Sequence, residues 1–261
     1  MRQKETIREK LEKNRFLFSE LVKRDFKQKY KRTSLGILWS LLSPLLNLLV
    51  MSLVFKQFFG RTTPHYTIYL FSGNLIMSFF RESTKGGMSS LMSNSNIFSK
   101  INVPKYLFLF SKNVSGLINF LLTLVIYFIF VAIDGIPFSI RFVLLLYPIV
   151  CLTIMNLGIG MILSALYVFF RDIEYLYDVF LTLLTYLSAI FYDVSMFAEN
   201  VQRLFLLNPV YVYIKYFRVI VINGAIPSLQ YHALCLIYPV IFLGIGCLVY
   251  HKWNQKFLYY V

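Results

Sequence analysis

A stripe of polar and aromatic side chains along one apolar segment has the clearest chemistry in this sequence. Its members recur at steps of three and four residues, the spacing of one helix face: Tyr175, Asp178, Thr182, Thr185, Ala189 and Tyr192. Hydroxyls can satisfy the hydrogen bonds of a sugar chain, and flat aromatic rings can pack on its C–H patches. We therefore take the Tyr and Thr members, together with Tyr186, as candidates for lining a carbohydrate channel. A seam that packs two helices through Thr and Tyr hydrogen bonds is the alternative.

A second, weaker set of polar side chains lies in the first apolar segment. Trp39, Ser43 and Asn47 recur at steps of four residues in a run that is otherwise almost entirely apolar. Polar residues inside membrane spans tend to face the interior of a bundle or a water-filled path. These three residues are therefore further channel candidates.

The sequence lacks the motifs of a nucleotide-binding or metal-dependent enzyme. It contains no G-x-x-x-x-G-K-[ST] loop to cradle the phosphates of a nucleotide, and no recognisable pair of nucleophile and base. Its three histidines, His65, His232 and His251, are isolated and do not have the spacing of metal ligands. We infer that the chain is not an enzyme by itself and binds no metal or cofactor of its own. A partner would then supply the energy for any transport.

The elements that must position the candidate residues are long apolar runs, which predict an all-α membrane protein. Of the 261 residues, 58% are hydrophobic and 15% charged, and the mean hydropathy is +0.65, which argues against a water-soluble globule. At roughly 20 residues per crossing, the runs predict six transmembrane helices. These are residues 36–58, 66–80, 107–133, 142–170, 175–192 and 231–250. Together they make one membrane domain, residues 35–261.

The positive charge is distributed as in a membrane protein and not as on a nucleic-acid-binding face. The net charge is +14, and residues 1–34 hold twelve Lys and Arg against five acids, while residues 81–112 hold five against one. Lys and Arg concentrate in cytoplasmic loops of membrane proteins. Both termini are therefore predicted to be cytoplasmic, as an even number of spans requires, and no nucleic-acid partner is expected.

Two further regions are predicted to contact the membrane without crossing it. Residues 1–34 place Ile7, Leu11, Phe18, Val22 and Phe26 on one stripe among basic residues, which is typical of an amphipathic helix on the cytoplasmic membrane face. Residues 197–222 hold two short apolar runs separated by polar residues. These runs suit two re-entrant half-helices that dip into the outer leaflet before the last span.

Several runs of the sequence resemble the polysaccharide-export permeases of ABC transporters. The run Leu21–Leu46 has basic residues leading to L-G-x-x-W and a proline in the first span, and Lys100–Lys105 resembles the K-x-x-x-P-K stretch that opens the third. Phe170–Ile173 resembles the F-R-D-[IV] motif, and Asn208 and Pro209 with Arg218 resemble N-P…[FY]-R. The resemblance extends from about Leu17 to Tyr250. One departure is Ala189, where the family often has proline.

The resemblance implies a transporter made of several chains. The permease would form a homodimer on two copies of an ABC ATPase subunit, and that subunit would bind ATP and Mg. Its substrate would be a polysaccharide linked to undecaprenyl diphosphate, exported across the bacterial cytoplasmic (inner) membrane. We favour lipopolysaccharide O-antigen as the polymer. Wall teichoic acid, capsule, or a small drug or lipid remain alternatives.

The resemblance also implies roles for two groups of residues. A short cytoplasmic helix at about residues 94–100 would dock on the ATPase through Asn94, Ser95, Asn96, Ile97, Phe98 and Lys100. The half-helices before the last span would form an outer gate that includes Asn208, Pro209 and Arg218.

The basic residues at the junction of the N-terminal helix and the first span form a hypothetical entrance for the lipid diphosphate. They are Arg24, Lys27, Lys29, Lys31 and Arg32. Arginine pairs with phosphate in a bidentate manner and lysine acts as a point charge. Binding of these residues to anionic membrane lipids is the alternative.

Overall fold

The computed structural model describes residues 7–30, 33, 35–59, 64–100, 103–253 and 256–260. Within these residues the chain forms α-helices and short 3-10 turns and no β-strand, which confirms the all-α prediction. The α-helices are α1 (Ile7–Tyr30), α2 (Trp39–Phe59), α3 (Tyr66–Ser89), α4 (Ser95–Phe98), α5 (Tyr106–Ile133), α6 (Leu146–Phe169), α7 (Ile173–Leu187), α8 (Glu199–Phe205), α9 (Pro209–Val221), α10 (Leu229–Trp253) and α11 (Phe257–Tyr260).

Four of the six predicted spans correspond to helices that are long and apolar enough to cross a membrane. Within the described residues these are Trp39–Phe58, Tyr106–Ile133, Ile140–Phe169 and Leu229–Trp253. The third consists of α6 with the 3-10 turn before it. Helices α8 and α9 meet at an angle of 105° and could count as one further, broken span.

The other two predicted spans have a different form. Helix α3 continues as a polar helix beyond the predicted span 66–80 and reaches Ser89. Helix α7 has 15 residues, about 22 Å at 1.5 Å per residue. It ends at Leu187, so the last residues of the predicted span 175–192 are not helical.

Helix α3 lies at the centre of the bundle, where it contacts α2, α5, α6 and α9. Small residues bring the backbones of neighbouring helices close together. A Cβ atom at Gly87 would lie 2.9 Å from Cα of Gly160, and one at Gly158 would overlap the backbone of Leu243 in α10. Close approach of this kind favours dispersion contacts between helices in a membrane, where burial of apolar surface gives little.

Helix α1 packs on α5 through a buried acid as well as through apolar side chains. Asp25 is 5% exposed and accepts hydrogen bonds from Ser111 at 2.8 Å and Arg24 at 2.8 Å, while Lys112 lies 3.1 Å away. Among the described side chains of α1, Leu21 and Asp25 are buried, and Val22 and Phe26 of the predicted stripe are half-buried. Contact of the stripe with a membrane stays a prediction.

Candidate functional site

A cavity of about 420 Å³ with polar and apolar walls lies between α2, α3 and α5. The three candidates on α2, Trp39, Ser43 and Asn47, all line it. The other polar residues on its walls are Thr33, Ser40, Asn74, Ser78, Glu82, Asn119 and Thr123. The structure thus brings the α2 candidates together with a second polar row on α3.

That second row, Asn74, Ser78 and Glu82, recurs at steps of four residues and was missed by the sequence analysis. The four-residue spacing is visible in the sequence, but the apolar run that predicts this span ends before Glu82. In the structure the amide nitrogen of Asn119 donates to Glu82 at 2.6 Å. Ionisable side chains within membrane proteins tend to face a bundle interior or a water-filled cavity. The polar residues on the cavity wall can therefore form hydrogen bonds with the hydroxyls of a ligand.

The predicted stripe on α7 lies beside the charged residues of α3, outside this cavity. Lys85 lies 2.6 Å from Asp178, and Arg81 donates to Thr185 at 3.1 Å. Tyr177, which the stripe did not include, is buried and donates to Thr84 at 2.6 Å. Part of the stripe therefore packs helices together, as in the alternative interpretation.

The remaining members of the stripe face outward from the single chain. Tyr175 is 75% exposed, Tyr186 is 60% exposed, and Thr182 is also exposed, with its hydroxyl bonded to its own helix at Asp178. Tyr192 is half-buried and donates to the carbonyl oxygen of Tyr186 at 2.8 Å. The candidates on α2 and α7 therefore occupy different surfaces, and α3 contributes polar side chains to both.

The non-helical segment after α7 is held by side chains from distant parts of the chain. Arg218 on α9 is 4% exposed and donates to the carbonyl oxygens of Ala189 at 2.9 Å and Ile190 at 3.2 Å. It also donates to the carbonyl oxygen of Tyr69 at 3.1 Å and to the Ser72 hydroxyl at 3.2 Å. Its guanidinium carbon lies 3.3 Å from the centre of the Tyr69 ring, within cation–π range.

Three more side chains complete this set of contacts. Tyr66 donates to the carbonyl oxygen of Phe191 at 2.8 Å, and Tyr69 donates to that of Tyr192 at 2.6 Å. Asn208 donates to the carbonyl oxygen of Leu187 at 3.1 Å. Irregular backbone is tolerated at membrane depth only where its polar groups are satisfied in this way.

The three predicted gate residues meet at this segment. Pro209 is the first residue of α9, and Asn208 caps the helix by accepting from the backbone nitrogens of Val210 at 3.0 Å and Tyr211 at 3.3 Å. The same Asn208 side chain bonds the end of α7, and Arg218 bonds the residues just beyond it. Helix α9 is thus fixed both to α7 and, through Arg218, to α3.

The predicted entrance is described only in part. Arg24 donates to buried Asp25 at 2.8 Å, so part of its charge is neutralised, and Lys27 is exposed. The side chain of Lys29, and the whole of Lys31 and Arg32, lie outside the described residues. The entrance stays a prediction.

The predicted ATPase-contacting helix is the single turn α4, preceded by a 3-10 turn at Met92–Asn94. Asn94 and Phe98 are buried, Ser95 and Ile97 are half-buried, and Asn96 and Lys100 are exposed. Phe98 packs in an apolar cluster with Leu21, Phe108, Tyr250 and Phe257. This cluster connects α4 with α1, α5, α10 and α11.

Comparison with known proteins identifies relatives over most of the chain. The profile of the ABC-2 type transporter family matches residues 17–222. The O-antigen export system permease protein RfbA of Klebsiella pneumoniae is 27% identical over 249 residues, covering 93% of this chain and 95% of that protein. The protein of the same name from Myxococcus xanthus is 28% identical, covering 83% and 84%. The polysialic acid transport protein KpsM of Escherichia coli is 22% identical, covering 90% and 92%.

Proposed function

Because the chain belongs to the ABC-2 type transporter family, we propose that it is the membrane-spanning subunit of an ABC transporter that exports a polysaccharide. Relatives named as O-antigen export permeases are 27–28% identical over most of the chain, against 21–22% for those named as polysialic acid transport proteins. O-antigen, carried on undecaprenyl diphosphate, is therefore the polymer we favour. Two copies of a separate ATPase subunit bind ATP and Mg and drive the export.

The polar surfaces of α2, α3 and α7 are the observation that carries the proposal. They combine hydroxyls, amides, Trp39 and exposed tyrosines, a composition that satisfies sugar hydroxyls and packs on sugar C–H patches. Lipid tails offer no partner to the exposed hydroxyls of α7. A second copy of the chain facing the exposed surface of α7 would cover these hydroxyls and complete a channel. We therefore propose a homodimer.

The proposed topology has six spans with both termini in the cytoplasm of a bacterium. Helices α3 and α7 add the second and fifth spans, and the broken pair α8 and α9 forms two re-entrant half-helices at the outer face. The 105° bend between α8 and α9 and the bonds of Asn208 and Arg218 to the end of α7 support an outer gate there. ATP-driven closure of the partner would push on α4 and shift the spans through the cluster around Phe98.

The proposal is tested by deleting the gene and restoring it from a plasmid. Loss of surface polysaccharide, with undecaprenyl-linked polymer accumulating inside the cell, is the expected result of the deletion. Restoration by the intact gene completes the test. Unchanged surface polysaccharide in the deletion strain would overturn the proposal.

A pair of variants tests the assignment of the α7 surface. Tyr186→Ala should slow export by roughly fivefold if stacking on the ring, worth about 1 kcal/mol, guides the sugar chain. Phe180→Ala is the control, since Phe180 is 47% exposed on the same helix but lies about 120° away around its axis. Equal export by both variants would argue against a channel surface at Tyr186.

A further inference from the structure

A second polar cavity lies beyond the broken end of α7. Its volume is about 300 Å³, and it is bounded by α8, α9, the start of α10 and the 3-10 turn at Val194–Met196. Ligand cavities in proteins begin at about this size. Its polar walls are Glu199, Gln202, Arg203, Tyr211, Lys215 and Tyr231.

The three charged side chains of this cavity make no ion pair or hydrogen bond within the described part of the chain. Glu199 and Arg203 are exposed, and Lys215 is half-buried on α9 between the fully buried Ile214 and Tyr216. A charge that is partly withdrawn from water is costly unless it is paired. With two cations and one carboxylate, the cavity carries an excess positive charge that an anionic ligand would neutralise.

The uncharged walls of the cavity provide groups that recognise sugar hydroxyls. Tyr211 and Tyr231 bring their phenol groups to the wall of the cavity. The amide nitrogen of Gln202 donates to the carbonyl oxygen of Phe197 at 2.8 Å, which orients the amide and leaves its oxygen as an acceptor. Hydroxyl, amide and aromatic groups therefore surround the unpaired charges.

The cavity lies beside Tyr192, one of the residues that we propose to line the channel for the polymer. Val194 and Ser195, on its wall, follow Tyr192 by two and three residues. Tyr211 packs with Ala189 and Val194 in one buried cluster. The cavity is therefore continuous with the segment that Arg218 and Asn208 hold.

We propose that this cavity binds an anionic sugar unit of the exported polymer on the outer side of the membrane. Lys215 and Arg203 bind its carboxylate or phosphate group, and Gln202, Tyr211 and Tyr231 contact its hydroxyls. The site selects polymers that carry acidic sugars. This inference rests on the proposed export of a polysaccharide and names the chemical class of one subsite for it.

Binding of small sugar probes to the full transporter tests the inference. The permease with its partner ATPase is reconstituted in nanodiscs of phosphatidylcholine, and methyl glucuronide, glucose 6-phosphate and methyl glucoside are titrated by saturation-transfer NMR. We expect at least one anionic sugar to bind roughly tenfold or more tightly than methyl glucoside, because charge-assisted hydrogen bonds are the strong ones. The two anionic probes distinguish a carboxylate from a phosphate. Equal binding of all three sugars would overturn the inference.

Matched variants assign the binding to this cavity. The double substitution Lys215→Met and Arg203→Gln should abolish the preference for the anionic sugar. Lys252→Met, at the other end of α10 and exposed, should leave it unchanged. Retained preference in the double variant would contradict the site, and so would displacement of the bound sugar by phosphatidylglycerol in the nanodisc, since the cavity would then be a lipid site.

The inference can fail while the proposed function stands. If the gene is needed for surface polysaccharide but the transporter shows no preference for anionic sugars, only the subsite is wrong. If deletion of the gene leaves surface polysaccharide unchanged, the proposed function itself fails.

Discussion

At the level of single residues, the contacts of Arg218 explain how α7 can end inside the protein. All hydrogen bonds of this buried guanidinium among the described residues go to uncharged oxygens, three of them backbone carbonyls. Buried acceptors without a donor cost about 1–3 kcal/mol each. Arg218 thus stabilises a backbone path that would otherwise be unfavourable.

Replacing this arginine should lower the stability of the outer region. Arg218→Met removes the donors to Ala189 and Ile190 and should cost roughly 2–5 kcal/mol, seen as a lower Tm of the purified protein. Arg218→Lys should be intermediate, because a lysine ammonium cannot reproduce the planar set of donors. Arg171→Gln, in an exposed turn, is the control. A Tm unchanged in the methionine variant would contradict the role assigned to Arg218.

Asp25 provides a second prediction at this scale. Asp25→Asn keeps the shape of the side chain but removes the charge that faces Arg24 and Lys112, and should loosen α1 from α5 at a cost of about 1–3 kcal/mol. Faster proteolysis of α1 and a lower Tm are the expected results. Glu20→Gln is the matched control, because Glu20 pairs with Lys23 on the exposed face, where such pairs contribute little. Equal effects of the two variants would contradict a special role for the buried acid.

Among the elements, the helices formed by long apolar runs were predictable from the sequence. The residue at which α7 ends was not. The runs that form α2, α5, α6 and α10 are long and almost free of charge, which is sufficient to mark a span. The end of α7 depends on donors from Tyr66, Tyr69, Asn208 and Arg218, and the tyrosines lie more than a hundred residues away. No local pattern reports such contacts.

Some residues of the candidate site were predictable from the sequence, but the residues they contact on other helices were not. The α2 residues do line a cavity, but their partners Asn74, Ser78 and Glu82 lie where a charge suggested the end of a span. Periodicity on α7 predicted one polar face but did not separate Thr185, which accepts a hydrogen bond from Arg81, from outward-facing Tyr186. Whether a residue of α7 contacts a neighbouring helix or faces outward depends on how the helices pack, which the periodicity of one helix does not show.

The contact between α6 and α10 gives a prediction at the element scale. Gly158→Ala should destabilise the protein by roughly 1–3 kcal/mol or more, because the new Cβ atom would overlap the backbone of Phe242 and Leu243. Gly244→Ala on α10 is the control, since nothing lies within 4 Å of its Cβ position. Tm measurements on both variants in detergent provide the comparison. A Gly158→Ala protein as stable as the Gly244→Ala protein would show that the helices are not this close.

At the scale of the whole molecule, the proposed topology assigns each turn to one side of the membrane. Pro137→Cys, in the exposed turn after α5, should react with an impermeant maleimide on intact spheroplasts. Arg171→Cys, in the exposed turn between α6 and α7, should react only after lysis. Cys247, which is exposed, is replaced by alanine in both proteins. The opposite pattern of labelling would place both termini outside the cell.

The backbone conformation of Ala189 limits which segments of a related permease could replace the corresponding segment of this chain. Its φ is +50°, which proline cannot adopt because its ring fixes φ near −65°, yet the family that the sequence resembles often has proline here. Divergence at this position therefore requires the whole segment after α7 to be rebuilt. A hybrid permease should accordingly inherit this segment, Asn208 and Arg218 from one parent.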